Sequence, residues 1–184
     1  MPLLRDHAPN LYQTHPNRLS NGRWLYFAAM RLLLIGILLL VVQGLQAQQS
    51  LTGRAVKIID GDTFDLLVGT TTYRVRLLGI DCPERGQPYS RRATEALGSW
   101  CRTGTLTVRF RHSDRNKRIV GDVYTAAGTW VNLQLVADGW AWHYTKYSSD
   151  SRLRRAEATA RSYKKGLWQQ SNAVAPWQWR RRTR

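Results

Sequence analysis

Three short apolar runs, separated by tight-turn signals, constrain the fold of this chain more than any other feature. The runs are Gly53–Ile59, Thr63–Val68 and Thr72–Ile80. The dipeptides between them, Asp60-Gly61 and Gly69-Thr70, are typical of turns between strands. In the third run apolar side chains alternate with arginines, which is the two-residue period of a half-buried strand. The sequence therefore predicts three consecutive β-strands joined by short turns.

The residues that follow add two strands and several helices. The expected elements are a helix over Arg91–Cys101, strands over Thr105–Arg111 and Ile119–Thr125, a short helix over Leu133–Val136 and a helix over Ser151–Lys165. Five short strands with a helix between the third and the fourth predict an α+β fold that is mainly β. We expect a five-stranded OB-type Greek-key barrel with about three helices, spanning residues 48–170. Barrels of this type bind oligonucleotides across one face.

The N-terminal region has the pattern of a targeting signal. An apolar run covers residues 32–42, and Arg31 precedes it. Eleven apolar residues are short for a membrane span, which needs about 20, but they fit the core of a signal peptide. We therefore predict a signal peptide over residues 30–47, with residues 1–29 as a mis-assigned or long extension. The alternative is a membrane anchor over residues 24–42, which would place Arg31 within the span at a free-energy cost.

The chain is strongly basic. It has 28 Lys and Arg against 12 Asp and Glu, for a formal net charge of +16. A charge of this size indicates a polyanionic partner, either nucleic acid or an anionic membrane, and solubility alone is the simpler alternative. Eight Trp and eight Tyr are interleaved with the arginines, and aromatic side chains beside a basic groove suit single-stranded nucleic acid. Residues 171–184 have no periodicity and are predicted to form a basic tail rich in Trp and Arg.

Acidic side chains collect where neighbouring predicted strands end. Asp60 and Asp62 lie in the first turn, and Asp81 and Glu84 follow the third strand. Hairpin Asp residues are most often simple turn formers. Neighbouring strands lie about 4.8 Å apart, however, so carboxylates at their ends can share one cation. Their hard oxygens suit Ca²⁺ or Mg²⁺, and the chain lacks the His and Cys spacing of a zinc site.

Two arginines accompany these acidic groups along the sequence, one between them and one after them. Arg76 lies in the third predicted strand, and Arg118 lies just before the fifth. A lone arginine is more often solvated or salt-bridged, but a pair beside a metal site can bind a phosphate through bidentate hydrogen bonds. A metal ion, guanidinium groups and a nearby carboxylate together suit the cleavage of a phosphodiester bond.

The two cysteines leave their pairing open. Cys82 follows the third predicted strand directly, and Cys101 ends the first predicted helix. Two cysteines are too few for a disulfide scaffold. One disulfide bond and two free thiols are equally compatible with the sequence.

The motifs around these acids and arginines closely resemble those of the staphylococcal-nuclease-like (thermonuclease) family. The resemblance rests first on the segments Ile59–Thr63 and Val75–Glu84. Further segments agree in the same order, namely Gln87-Pro88-Tyr89, Asp114-Arg115, Val131-Asn132, Lys146-Tyr147, Ala156-Glu157 and Gly166-Leu167-Trp168. The resemblance covers residues 52–168, which is most of the predicted domain.

The resemblance implies a Ca²⁺-dependent nuclease with an OB barrel that acts on DNA and RNA, with the 5′ oxygen as the leaving group. By position, Asp62 and Asp81 would supply metal carboxylates, and Cys82 would supply its backbone carbonyl. Glu84 would be the general base. Arg76 and Arg118 would bind the phosphate. Asp60 would lie behind the metal ligands without contacting the metal.

One loop departs from the family pattern. The family usually has Tyr-Gly before the second arginine, whereas this chain has Asn116-Lys117. The assignment of Arg118 therefore depends on its position between Asp114-Arg115 and the fifth strand, and Arg115 is the alternative. Tyr147 and Lys117 are the remaining candidates for contacts with the nucleotide, and plain packing is the alternative for Tyr147.

Taken together, the residues and the resemblance predict a secreted or periplasmic Ca²⁺-dependent endonuclease. The expected partner is nucleic acid, single-stranded DNA and RNA in particular, and we expect a monomer with no protein partner. The alternative from another class is an OB module that binds nucleic acid without cleaving it. Catalytically inactive domains of the family typically lose the acids or arginines, whereas Asp62, Arg76, Asp81, Glu84 and Arg118 are all present here.

Overall fold

The computed structural model describes residues 26–27, 29–35, 48–102 and 104–182. The chain divides into two units, residues 1–46 and 47–184. In the first unit residues 26–27 and 29–35 are helical. Among the described residues, no helix is both long enough and apolar enough to cross a bilayer. Most of the predicted signal peptide and of the N-terminal extension lies outside the described residues, so both stay predictions.

The second unit contains a closed five-stranded barrel. Its strands are β1 (Gln49–Ile58), β2 (Thr63–Val68), β3 (Thr71–Leu77), β5 (Thr105–Ser113) and β6 (Ile119–Thr125), and a separate pair is formed by β4 (Ile80–Asp81) and β7 (Trp142–His143). The barrel order is β1-β2-β3-β6-β5. Only the β3–β6 pair is parallel. This arrangement confirms the predicted five-stranded OB-type barrel and the α+β class.

Residues 48–102 and 104–182 also contain four α-helices and one 3₁₀-helix. The α-helices are α1 (Ser90–Cys101), α2 (Val131–Ala137), α3 (Ser151–Ser162) and α4 (Pro176–Arg182), and the 3₁₀-helix is Gly166–Gln169. The helix count is therefore slightly higher than the predicted three. The additional α-helix is α4, which lies within residues 171–184, the segment predicted to be a basic tail rich in Trp and Arg.

The apolar core lies inside the barrel and beneath the helices that cover it. Phe64, Leu66 and Val75 from the β2–β3 hairpin are fully buried, as are Leu106 and Val108 from β5. From outside the barrel, α1 and α2 contribute buried side chains to the same cluster, namely Ala93, Leu97, Leu135 and Val136. In β6 buried and half-buried residues alternate, as expected of a strand with one face toward the core, whereas the first four residues of β2 are all buried.

The third strand ends earlier than predicted. It stops at Leu77, and a turn at Gly79 sends the chain out of the barrel. Gly79 has a φ of +73°, and a Cβ atom there would lie 2.8 Å from the Cβ of Ser148. Ile80–Asp81 then pairs with β7 instead of continuing β3. Asp81 therefore belongs to β4, and the alternation of side chains along β3 does not determine which way its side chain faces.

A buried asparagine fixes this turn against the barrel. The Asn132 side-chain amide donates hydrogen bonds to the Leu78 carbonyl at 3.0 Å and to the Gly121 carbonyl at 3.2 Å. Its side-chain oxygen accepts a hydrogen bond from the Val123 backbone N–H at 3.0 Å. Asn132 is fully buried. One side chain from α2 therefore connects the exit of β3 to β6.

A second apolar cluster lies under the C-terminal segment. Its buried members are Trp142, Ala160, Leu167, Trp168 and Ala175. The ring of Trp142 meets the ring of Trp168 edge-on, with 4.3 Å between their centroids. Trp177, at the start of α4, packs against this cluster. The C-terminal segment is thus part of the folded domain as far as residue 182.

Candidate active site

Asp62, Arg76 and Asp81 meet at one end of the barrel. In the β2–β3 ladder Thr63 lies opposite Arg76, so Asp62 immediately precedes the residue that faces this arginine. Arg76 donates from Nη1 to Oδ1 of Asp62, and from Nη2 to Oδ1 of Asp81 at 2.6 Å. Asp62 and Asp81 are both buried. The register of one hairpin and the turn at Gly79 thus bring two buried carboxylates to one guanidinium.

The turn that carries Asp62 is packed tightly against the start of the next loop. A Cβ atom on Gly61 would lie 2.7 Å from Cβ of Cys82 and 2.8 Å from Cβ of Ala93, so only glycine fits there. The Cys82 backbone N–H donates to Oδ2 of Asp62 at 2.9 Å. Behind Asp62, its own backbone N–H donates to Oδ1 of Asp60 at 3.1 Å. Asp60, Asp62 and Cys82 therefore lie together, and the Cys82 group that contacts Asp62 is its backbone N–H.

Burial controls the protonation of these groups. Burial raises the pKa of Asp62 to about 7, and nearby Asp60 and Asp81 act in the same direction, whereas Arg76 opposes the rise. Burial works against the charge on Arg76, but Asp62 and Asp81 outweigh it and raise the pKa of the guanidinium. Asp62 is thus a carboxyl group that a bound cation would readily deprotonate.

Both cysteines are free and buried. Burial raises the pKa of the Cys82 thiol well above its usual range, and it raises the pKa of Cys101 to about 12. Neither thiol has the lowered pKa of a reactive cysteine. The Cys82 side chain packs in the core, so its backbone is the part that faces the carboxylates.

Glu84 lies on the loop after β4, and its side chain is 38% exposed. Its backbone N–H donates to Oε1 of Gln87 at 3.0 Å, and the Gln87 backbone N–H donates to the Glu84 carbonyl at 2.8 Å. The Gln87 side-chain amide also donates to the Val174 carbonyl at 2.7 Å. Gln87 therefore orients the loop that carries Glu84 and joins it to the C-terminal segment.

A third arginine, Arg180 of α4, contacts the same carboxylates. It donates from Nη2 to Oδ2 of Asp81 at 2.8 Å and from Nη1 to Oδ1 of Asp81 at 3.3 Å, and Nη1 also donates to Oε1 of Glu84. Partial burial works against its charge, but Asp81 and Glu84 outweigh it and raise the pKa of Arg180. The sequence analysis missed this residue, because it lies in a segment without periodicity, far along the chain from the motifs.

Arg118, the other predicted phosphate ligand, is bound within its own loop. Its Nε donates to Oδ2 of Asp114 at 2.9 Å, and its backbone N–H donates to Oδ1 of Asp114 at 3.0 Å. Slight burial opposes the effect, but these bonds lower the pKa of Asp114. Lys117 lies at the exposed tip of this loop, with a φ of +59°. Arg76 is thus bound to the buried carboxylates, whereas Arg118 is bound to Asp114.

Tyr147, the predicted nucleotide contact, lies on an exposed aromatic surface. It is 61% exposed, and its ring meets Tyr144 edge-on with 4.8 Å between centroids. Tyr144 in turn stacks on Trp177 of α4, with the rings 5.0 Å apart and inclined by only 3°. Sequence reasoning singled out Tyr147 but not Tyr144 or Trp177.

The oxygen donors at this end of the barrel fit a hard divalent cation. Within the described residues, no group of three or more His, Cys, Asp or Glu side chains is arranged to hold a metal ion. Nevertheless, proteins commonly supply two carboxylates to a Ca²⁺ or Mg²⁺ ion, and backbone carbonyls, water and substrate oxygens complete its coordination shell. Asp62 and Asp81, with the backbone of Cys82 beside them, match this kind of site.

Comparison with known proteins identifies the family. The profile of the family described as staphylococcal nuclease homologue matches residues 74–170. An uncharacterized endonuclease of Escherichia coli is 40% identical over 130 residues, covering 71% of this chain and 85% of its own. A micrococcal nuclease of Shigella flexneri is 36% identical over 164 residues, covering 84% and 93%. The chain therefore belongs to the staphylococcal nuclease family and is a hydrolase of the nuclease class.

Proposed function

We propose that the protein is a Ca²⁺-dependent endonuclease that hydrolyses phosphodiester bonds of DNA and RNA, with the 5′ oxygen as the leaving group. The observation that carries the proposal is the pair of buried carboxylates, Asp62 and Asp81, held against Arg76 at the end of the barrel. Buried carboxylates are costly to keep unless they bind a cation. Glu84, on the loop after β4, lies beside them, because Arg180 contacts both Asp81 and Glu84.

The metal ligands in this proposal are Asp62, Asp81 and the backbone carbonyl of Cys82. When bound, Ca²⁺ supplies positive charge that stabilises the negative charge developing on the phosphate. Asp60 supports the site through its hydrogen bond to the backbone of Asp62. With their charge balanced in this way, the two carboxylates no longer require Arg76, and its guanidinium becomes available to a phosphate.

Glu84 acts as the general base. Its carboxylate takes a proton from the attacking water, whose oxygen bonds to phosphorus while the bond from phosphorus to the 5′ oxygen breaks. The departing 5′ oxygen takes a proton from solvent water. The products are a 3′-phosphate and a 5′-hydroxyl. The two hydrogen bonds between Glu84 and Gln87 keep the loop in place during this step, and a positioned base contributes roughly 10²- to 10⁴-fold to a rate.

Arg76 and Arg118 bind the non-bridging phosphate oxygens and stabilise the transition state. Arg118 exchanges its Asp114 partner for the phosphate in this role, and Arg115 on the same loop is the alternative. The exposed side chains of Tyr147 and Lys117 contact the nucleotide. Aromatic stacking of this kind is tolerant of sequence and favours single strands.

We also propose a location and an oligomeric state for the enzyme. The enzyme acts as a monomer on nucleic acid. The signal peptide over residues 30–47 directs it to secretion or to the periplasm, and a membrane anchor over residues 24–42 is the alternative. A non-catalytic nucleic-acid-binding module is the second candidate function. The basic charge of +16 supports both candidates, but only the catalytic one uses buried carboxylates.

Analysis of the reaction products tests the proposal. A single-stranded DNA oligonucleotide, labelled in separate samples at each end, is incubated with the protein in Ca²⁺ or in chelator. We expect cleavage in Ca²⁺ only, with new 3′-phosphate and 5′-hydroxyl ends. New 5′-phosphate ends would contradict the proposed leaving group, and binding without cleavage in Ca²⁺ would favour the non-catalytic module.

A further inference from the structure

The C-terminal helix places its own cation on the oxygens that the proposed site requires. Arg180 spans both carboxylate oxygens of Asp81 and also reaches Oε1 of Glu84. Oδ1 of Asp81 also accepts from Arg76. With α4 docked, both oxygens of Asp81 are engaged by guanidinium groups. A divalent cation bound to Asp81 would therefore meet the positive charge of Arg180 at the same atoms.

The same helix covers the aromatic surface beside the carboxylates. Trp177 stacks on Tyr144 at 5.0 Å and meets Trp142 edge-on at 5.6 Å. One turn further along the helix, Arg180 is on the carboxylates. A single docked helix thus engages the charged part of the site and a tyrosine that could otherwise stack on a base.

The two guanidinium groups on Asp81 differ in how firmly the backbone that carries each of them is held. Arg76 belongs to β3, and its backbone is fixed by the ladders on both sides of that strand. Arg180 belongs to a helix of only seven residues, and isolated helices of this length are unstable in water. The docked position of α4 thus depends on its contacts with the domain.

We propose that helix α4 is an intramolecular competitor of the divalent cation, so that cation binding releases Arg180 from Asp81 and Glu84 and undocks the helix. The proposal rests on the cation site of the proposed function. Because docking and cation binding use the same oxygens, each weakens the other by the same factor. The helix therefore raises the cation concentration that the site needs, and its release uncovers Tyr144 at the same time.

Calorimetric titration of the full-length chain with Ca²⁺ tests the competition. We expect Arg180→Ala to lower the dissociation constant for Ca²⁺ roughly tenfold, since charge-assisted hydrogen bonds of this kind are worth about that factor. Arg181→Ala is the matched control, because it removes the same charge from an exposed position one residue further along the same helix. It should leave the dissociation constant near the wild-type value. An unchanged or weaker affinity in Arg180→Ala would overturn the proposal.

Hydrogen exchange over residues 177–182 shows whether the cation displaces the helix or whether the charge of Arg180 weakens cation binding only through its electric field. We expect these amides to lose protection when the wild type is saturated with Ca²⁺, while the strands of the barrel keep theirs. Trp177→Ala should release the helix without removing Arg180 and should also tighten Ca²⁺ binding. If the helix stays protected in saturating Ca²⁺, the two are not competitors, even if Arg180→Ala binds Ca²⁺ more tightly.

The outcome is distinguishable from a failure of the proposed nuclease mechanism. Cleavage of single-stranded DNA is measured in the same samples. Ca²⁺-dependent cleavage with an unchanged affinity in Arg180→Ala would overturn the competition alone. Tighter Ca²⁺ binding and helix release without any cleavage would support the competition and contradict the mechanism. If no variant binds Ca²⁺, both are wrong.

Discussion

Arg76 and Arg180 bind the same carboxylate, Asp81, from two regions that are built in different ways. Arg76 comes from the barrel end, where ladder register, a tight turn and buried hydrogen bonds fix every neighbour. Arg180 comes from the C-terminal helix, which is held by a few aromatic contacts and by its own ion pairs. In the proposed function, the barrel end supplies the catalytic groups, and in the proposed competition helix α4 controls cation access to them.

The largest effect that this comparison predicts is on catalysis. We expect Arg76→Ala to lower kcat/KM for single-stranded DNA by roughly 10²- to 10³-fold, which is typical for the loss of one group that stabilises the transition state. Arg180→Ala should not lower it, and at limiting Ca²⁺ should raise it. Steady-state kinetics at several Ca²⁺ concentrations measure both. An equal loss in the two variants would mean that Arg180 also binds the substrate.

The next effect concerns the stability of the barrel end. Asn132→Ala leaves the Leu78 carbonyl and the Val123 N–H without this partner, whereas the Gly121 carbonyl keeps its hydrogen bond from the Leu78 N–H. We therefore expect a loss of about 3 kcal/mol in the free energy of unfolding. Gln134→Ala, two residues along the same helix, is the control and should cost far less. Urea denaturation measures both variants. A loss of less than about 1 kcal/mol in Asn132→Ala would mean that the turn at Gly79 is held by other contacts.

A third effect is the pH dependence caused by Asp62. Its pKa is raised from 3.8 to about 7 in the folded state, so the native state binds more protons than the unfolded state within this window. Stability in the absence of metal should therefore fall as pH rises, by about 2 kcal/mol between pH 5 and pH 8. Asp62→Asn should remove this contribution. Urea denaturation in chelator at both pH values tests the prediction, and identical slopes for wild type and variant would contradict it.

The smallest effect lies outside both regions and serves as a reference. Asp150 accepts a hydrogen bond from the Arg152 backbone at the start of α3, and its pKa is lowered to about 2, chiefly by the hydrogen bonds from the Arg152 side chain. Asp150→Ala should cost about 1 kcal/mol at neutral pH, with exposed Ser149→Ala as control. Because the folded pKa is lowered, this contribution is present above pH 3.8 and disappears as pH falls toward 2. Denaturation curves over that range would show whether the loss occurs.

The strands and the first turn at the barrel end could be predicted from the sequence because their signals are local. Turn dipeptides, the alternation in β3 and the spacing of Asp62, Arg76 and Asp81 all act within one hairpin and the turn after it. The bend at Gly79 was not predicted, because it depends on Asn132, which is distant in sequence. The prediction of a continuous strand to Ile80 was wrong for that reason.

The C-terminal helix could not be predicted because its structure comes from tertiary contacts. Seven residues with two Trp and three Arg show no amphipathic period, and the helix forms where Trp177 meets Tyr144 and Trp142. The ion pair between Arg118 and Asp114 could not be predicted from the sequence either. The motif identified Arg118, but its present partner depends on the conformation of a loop that departs from the family pattern.

The central claim is that buried carboxylates, a cation and Glu84 cleave a phosphodiester bond. The most direct test is the single-turnover rate of single-stranded DNA cleavage in Ca²⁺ by wild type and Glu84→Gln, with Glu95→Gln, exposed on α1, as the control. The account predicts that Glu84→Gln slows cleavage by roughly 10²- to 10⁴-fold, while Glu95→Gln cleaves at the wild-type rate. A wild type that is inert in Ca²⁺, or a Glu84→Gln variant as fast as wild type, would contradict it.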